Sequence, residues 1–386
     1  MIAYNNNWLD NLFIQEQTTH AFDIDCIIKT EQENIHSQHP AGFFTPNLFI
    51  RIGLFLLTLV IAIFSYGLLS LFLMQALENS IAGIIIFYGL LTYAALEFMI
   101  KNKHYFKAGV DDALIWMSAG MLFGGISYGV DATPLAMCCI AFCMACFYTV
   151  RFADRLMALI AFLAYLGLLF FTCAQLGGIV KAIVPFVIMI ASAVIYFFTK
   201  SIAKQHALRH YATCFTMLEF AALIAFYIGG NYFVVRELSN SMFNLNLRAG
   251  ESIPYATVFW MFTILTPLVY LLIGIRRKNN VLIRTGLILV AATVYTIRYY
   301  YHVADIEITM TIVGIIMIVT AGALIRYLKT PKFGFTYHAS KGANQTGSLQ
   351  IESLVIAETF SIPDDPQSGT QFGGGSFGGG GAGSQF

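Results

Sequence analysis

In a chain dominated by apolar residues, chemistry falls to the few charged or polar groups placed among them. Glu97 and Glu219 are two such groups. An ionisable side chain within lipid costs several kcal/mol unless it is paired or hydrated. Glu97 lies near the end of its apolar run with Lys101 four residues on, so snorkelling or an i,i+4 pair accounts for it. Glu219, between Leu218 and Phe220, lies deeper and has no cation close in sequence. Its carboxyl is a candidate proton or ligand site, the alternative being a neutral hydrogen bond between helices. A second constellation is Tyr295, Arg298, Tyr299 and His302, at i, i+3, i+4 and i+7 on one helix face, with Asp305 and Glu307 following. It forms either a cationic, aromatic mouth for an anionic or aromatic ligand or an aromatic belt with an arginine reaching headgroups. Asp131 is a further possible partner for Arg298.

Gly120, Gly124, Gly125 and Gly129 give small-xxx-small pairs at 120/124 and 125/129, a pattern for close helix packing. The same stretch spells Gly125-Ile-Ser127-Tyr-Gly129, formally a nucleophile pattern, but without the strand-to-helix turn that exposes such a serine. His302 stands at comparable depth to Ser127. The spacing departs from the Gly-x-Ser-Gly of rhomboid-type intramembrane proteases. Cys139, Cys143 and Cys146 share a helix face, with Cys138 beside them. They read as small packing residues rather than a soft-metal face, and Cys138 or Cys139 could bond Cys173. His206 and His210 lack the glutamate of a zinc helix. With no phosphate-binding loop or dinucleotide fingerprint visible, the expectation is a non-enzymatic protein with no cofactor and no metal.

The elements that must position these groups follow from composition. The 386 residues are 58% hydrophobic and 11% charged, where soluble domains have about 25% charge. A soluble globule of this length is excluded, and a net charge of +1 leaves no basic surplus for nucleic acid. Ten apolar runs of about 20 residues cover 48–74, 80–100, 112–129, 134–150, 155–175, 178–199, 212–235, 254–275, 281–302 and 307–327. In lipid each must satisfy its own backbone, which makes them helices. The fold class expected is all-α: a polytopic membrane protein of ten transmembrane helices. On the other side from the remaining cations lie only Lys181, Arg236, Arg248 and Arg298, so the positive-inside rule puts both termini in the cytoplasm. The first run follows a polar stretch and is too long for a signal-peptide core, so an uncleaved anchor is expected.

Residues 1–47 read as a cytoplasmic helical head: one segment around Trp8, Leu12 and Phe13, and a second near 21–36 with Ile24, Ile27, Ile28 and Ile35 at helical spacing, then Pro40 and Pro46. Residues 48–329 form the transmembrane domain. Residues 330–386 are a Gly-rich tail expected to be disordered, with Phe372, Phe377 and Phe386 as possible stickers for a protein partner of residues 331–386. Five spans per half would permit inverted repeats, though no internal similarity supports them.

The acidic helical head, the Pro-bearing hinge and the run Leu-Phe-Ile-Arg-Ile-Gly-Leu-Phe-Leu-Leu-Thr at 48–58 resemble uncharacterised bacterial multi-pass membrane proteins classed as domains of unknown function. That resemblance implies a bacterial inner-membrane location and no reaction. The Gly-Gly-Gly-Ser-Phe-Gly-Gly-Gly-Gly-Ala ending is similar to the C-termini of bacterial membrane proteins with a TPM phosphatase-like domain, a domain this sequence lacks. The leading expectation is a transporter or permease-like carrier of a small solute, with Glu219 proton-responsive and Tyr295, Arg298, Tyr299 and His302 forming a periplasmic recognition surface. A membrane scaffold recruiting partners through head and tail is the alternative. An intramembrane serine hydrolase centred on Ser127 is a third reading.

Overall fold

The computed structural model describes residues 2–23, 26–73, 80–176, 178–243, 255–301 and 306–327. The tail, His302 and Asp305 lie outside them. Among the described residues the secondary structure is helical, apart from one isolated bridge between Phe44 and Tyr105. The head holds α1 (Asn6–Asp23) and α2 (Lys29–Gln38), followed by α3 (Leu48–Phe72), α4 (Ile81–Lys103), α5 (Val110–Gly129), α6 (Pro134–Phe152) and α7 (Arg155–Leu176). Then come α8 (Gly178–Ile202), a 3₁₀ turn (His206–Tyr211), α9 (Ala212–Gly230), α10 (Tyr232–Phe243), α11 (Ala256–Arg277), α12 (Asn280–Tyr301) and α13 (Ile306–Tyr327).

Among the described residues, eight helices are long and apolar enough to cross a membrane: α3, α4, α6, α7, α8, α9, α11 and α12. Helix α5, which opens on Asp111 and Asp112, and α13 are not among them. Local chemistry sets several ends. Asn47, Ser80 and Thr133 cap α3, α4 and α6 by accepting from backbone N–H groups three residues on. His104, Ala153 and Lys278 turn the chain out of α4, α6 and α11 with positive φ.

Two expectations about continuity need correction. The head stripe of Ile24, Ile27, Ile28 and Ile35 does not lie on one helix: α2 begins only at Lys29, where the Glu31 carboxylate reaches back to the Ile28 N–H at 3.1 Å. Ile24 itself lies outside the described residues. The apolar run 212–235 is two helices, because the chain leaves helical geometry at Asn231 (φ −75°, ψ 127°).

Neighbouring helices pack as antiparallel pairs: α4 with α5, α6 with α7, α8 with α9, and α11 with α12. Helix α9 occupies the centre of the later helices and touches α7, α8, α10, α11 and α12. Helix α3 presents Leu56, Leu57, Ile61, Ile63, Phe64, Leu68 and Phe72 outward and buries only Ala62. That is the face expected against lipid, since lipid tails are as apolar as these side chains. The head rests on the Lys/Arg-rich end of the bundle. Tyr4 and Leu9 join Leu96, Ile115, Tyr148 and Phe152 in one core, the Ala3 N–H donates to the Arg151 carbonyl at 2.8 Å, and Asp10 pairs with Arg209 and His210.

Candidate functional site

The break between α9 and α10 has a sequence cause. Gly229, Gly230 and Asn231 follow one another, and two glycines weaken a helix end. Gly229 also admits a close neighbour: a Cβ there would lie 3.0 Å from the Pro185 carbonyl oxygen and 2.8 Å from Met189 Cγ of α8. Asn231 then starts α10 as its N-cap, its Oδ1 accepting from the Val234 N–H at 3.2 Å.

A break inside an apolar bundle exposes backbone groups that need partners, and the side chains around it supply them. The Tyr232 N–H donates to Thr263 Oγ1 at 2.9 Å. On α11, Pro267 lacks the N–H that would serve the Thr263 carbonyl four residues earlier. Thr293 Oγ1 of α12 donates to that carbonyl at 3.0 Å. The Tyr227 hydroxyl lies 2.9 Å from Thr293 Oγ1, and Asn231 Nδ2 donates to Tyr227 at 2.9 Å and to Thr296 Oγ1 at 3.2 Å. Asn231, Thr263, Thr293 and Thr296 are all buried. Four helices therefore meet on one hydroxyl and amide relay.

Beside the relay sits Arg236, only 8% exposed. Its guanidinium lies 5.4 Å from the centre of the Tyr300 ring and 3.2 Å from Glu237 Oε1. Tyr232 stacks on Trp260 at 4.8 Å, and Tyr300 meets both edge-on at 5.1 and 5.9 Å. The Tyr300 hydroxyl is buried, with Arg236 as its charged neighbour. A buried guanidinium over the Tyr300 ring suits an anionic or flat, electron-rich group.

The residues singled out from sequence fall in different places. Glu219 is half-buried on α9, twelve residues before Asn231, or about 18 Å along the helix axis. It makes no hydrogen bond or ion pair among the described residues; Lys200, on the neighbouring α8, is its nearest charge influence and donates to Tyr196 at 3.2 Å. The cation missing from the local sequence is thus supplied by the packing. Tyr295 and Tyr299 are exposed and pack edge-on against Phe233 of α10 at 6.1 and 4.9 Å. Arg298 is half-buried, and His302 lies outside the described residues. Asp131 is exposed in a positive-φ turn, with no ion pair among the described residues.

Glu97 does more than snorkel. It accepts from Arg151 at 2.8 and 2.9 Å and from Tyr93 at 3.0 Å, with Lys101 at 3.6 Å. The glycines of α5 divide. A Cβ on Gly125 would meet the Ile86 backbone nitrogen at 3.0 Å and Gly129 faces Ala82, whereas Gly120 and Gly124 have nothing within 4 Å. Ser127 Oγ is buried without a partner. Cys139 and Cys143 are exposed, Cys138 packs at Gly167 of α7, and the described cysteines are all free. His210 pairs with Asp10 of the head.

Sequence reasoning missed the relay and Arg236. The signals were present: Gly229-Gly230-Asn231, a proline at 267, and Leu282, Thr285, Leu289, Thr293, Thr296 and Tyr300 at three- and four-residue spacing along α12. Comparison of the chain with protein-family models, with curated proteins and with solved structures gives no match.

Proposed function

We propose that the chain is a permease-like carrier of a small anionic solute, built from ten membrane-crossing segments with both termini in the cytoplasm of a bacterial inner membrane. The observation that carries this reading is the discontinuous α9/α10 segment, whose break is lined by a buried relay and a buried arginine. Carriers commonly line mid-membrane solute sites with broken helices; this break lies at the far end of α9, so the site it forms is a mouth at that boundary. The orientation rests on the Lys/Arg bias between the two ends. Helix α9, 19 residues and about 28 Å long, is close to one core thickness, which leaves the amphipathic α10 at the far boundary. Arg236 binds the anion, Asn231 and its threonines hold the break open to it, and Glu219 takes up the coupling proton lower on the same helix. The resemblance to uncharacterised bacterial multi-pass proteins agrees with the location and adds no substrate.

The test is uptake into proteoliposomes of a panel of small mono- and dicarboxylates under an imposed pH gradient. Arg236→Gln should abolish uptake of the active solute, and Glu219→Gln should uncouple it from the gradient. Uptake at the unmodified rate in both variants would refute the proposal.

A further inference from the structure

The turn between α11 and α12 carries Arg276, Arg277, Lys278 and Arg284, and from Tyr255 to Ala304 the chain has no carboxylate. Among the described residues none of the four makes an ion pair, whereas Arg51, Arg151 and Arg209 each close on an acid. A groove of about 440 Å³ is lined by Leu272, Ile273, Arg276 and Arg277. Leu265, Leu268 and Leu272 are more than half exposed. With Arg276 they fall at i, i+3, i+7 and i+11, one stripe of α11 about 17 Å long. On the side facing α12 the helix is held firmly: a Cβ on Gly274 would lie 2.8 Å from Ile283 Cγ1 and 3.0 Å from its backbone nitrogen.

An outward apolar stripe ending in two guanidinium groups with no ion pair among the described residues has the layout of a phospholipid, acyl chain along the stripe and phosphate at its end. We propose that this groove binds an anionic phospholipid of the surrounding bilayer, with Arg276 and Arg277 on the phosphate and one acyl chain along Leu265, Leu268 and Leu272. The planar fork of arginine matches phosphate oxygens in pairs. A zwitterionic lipid brings its own ammonium and gains less from the same cations. The site rests on the membrane-spanning reading of α11 and is independent of what the bundle transports.

The full chain, extracted in mild detergent, is titrated with phosphatidylglycerol and with phosphatidylcholine, and bound lipid is counted by native mass spectrometry. The unmodified protein should prefer phosphatidylglycerol, and the double variant R276Q/R277Q should bind it roughly 10- to 30-fold more weakly while phosphatidylcholine is unchanged. The double variant R276K/R277K keeps the charge but loses the paired geometry and should bind with a preference between those of the unmodified protein and R276Q/R277Q. Lys103→Gln, which removes an exposed cation at the end of α4 remote from the groove, should keep all of it. Leu272→Asn interrupts the stripe with both charges in place and should weaken binding several-fold, a second reading of the site should the arginine variant misfold. A phosphatidylglycerol preference that survives both R276Q/R277Q and Leu272→Asn overturns the proposal. Release of the protein from membranes by carbonate would instead overturn the membrane-spanning reading itself.

Discussion

Helices α3–α7 and α8–α12 meet the same demand, that polar groups away from water be satisfied by protein, in opposite ways. In the earlier set the charges sit at helix ends and close on each other: Glu97 with Arg151, and Arg51 with Asp112 at 2.6 Å. Between those ends α4 and α5 approach closely through Gly89 and Gly125. In the later set two prolines and a Gly-Gly-Asn break open the backbone, and hydroxyls close it again around Asn231. Ion pairs at the rim with tight packing between make a clamp. A relay of hydroxyls around a break makes a joint, since each of its hydrogen bonds is neutral and readily exchanged for a ligand's. On the carrier reading proposed above, motion and binding belong to the later helices and rigidity to the earlier ones.

The largest expected effect tests the clamp. Gly125→Leu should lower unfolding stability by about 3 kcal/mol, because a side chain there must push against the backbone of α4. Gly120→Leu, facing open space on the same helix, should change it by less than about 0.5 kcal/mol. Equal effects in thermal unfolding would erase the distinction between the two glycine pairs. Next, Glu97→Ala strands Arg151 and should cost about 2 kcal/mol by the same measurement.

On the joint, Asn231→Leu removes the cap of α10 and leaves Tyr227 and Thr296 without their donor. It should cost about 1–2 kcal/mol in stability while abolishing uptake. Glu97→Ala, by contrast, should leave the uptake of correctly folded protein intact. Loss of uptake in both, or in neither, would break the clamp and joint comparison.

The smallest effect concerns pH. Asp154, between α6 and α7, is held above the ordinary aspartate range by burial, opposed by the N–H of Met157 and reinforced by Asp112. Because the folded-state value lies above the unfolded one, its stabilising contribution is complete below the ordinary range near about pH 3.9. It is lost as pH rises through the raised value. Asp154→Asn keeps the cap on Leu156 and Met157. It should flatten that part of the pH profile and raise stability at neutral pH by less than about 1 kcal/mol. A profile identical to that of the unmodified protein would refute the assignment.

Helix positions were legible because a run of apolar residues in lipid has one structural outcome, and every run contains a helix. What sequence concealed was three-dimensional pairing. Lys101 at i+4 was visible as a partner for Glu97, while the stronger partner Arg151 stands 54 residues away on α6. Lys200 was invisible as a neighbour of Glu219 for the same reason. Arg298 drew attention by its tyrosines, yet Arg236, in a less conspicuous stretch, is the guanidinium buried over an aromatic ring. The break at Asn231 was masked by hydropathy, which averages over Gly-Gly and registers no interruption. Threonines at helical spacing carry a low polar signal individually, and only their shared face marks the relay.

The docking of the head has a consequence for biosynthesis. Asp10 finds its partner Arg209 only across 199 positions of sequence. At a ribosomal rate of about 5–20 residues per second, roughly 10–40 s separate their syntheses. Throughout that interval the Trp8 and Phe13 face of α1 has only part of its final surroundings. Helix α1 is thus made well before the last of its final contacts exists.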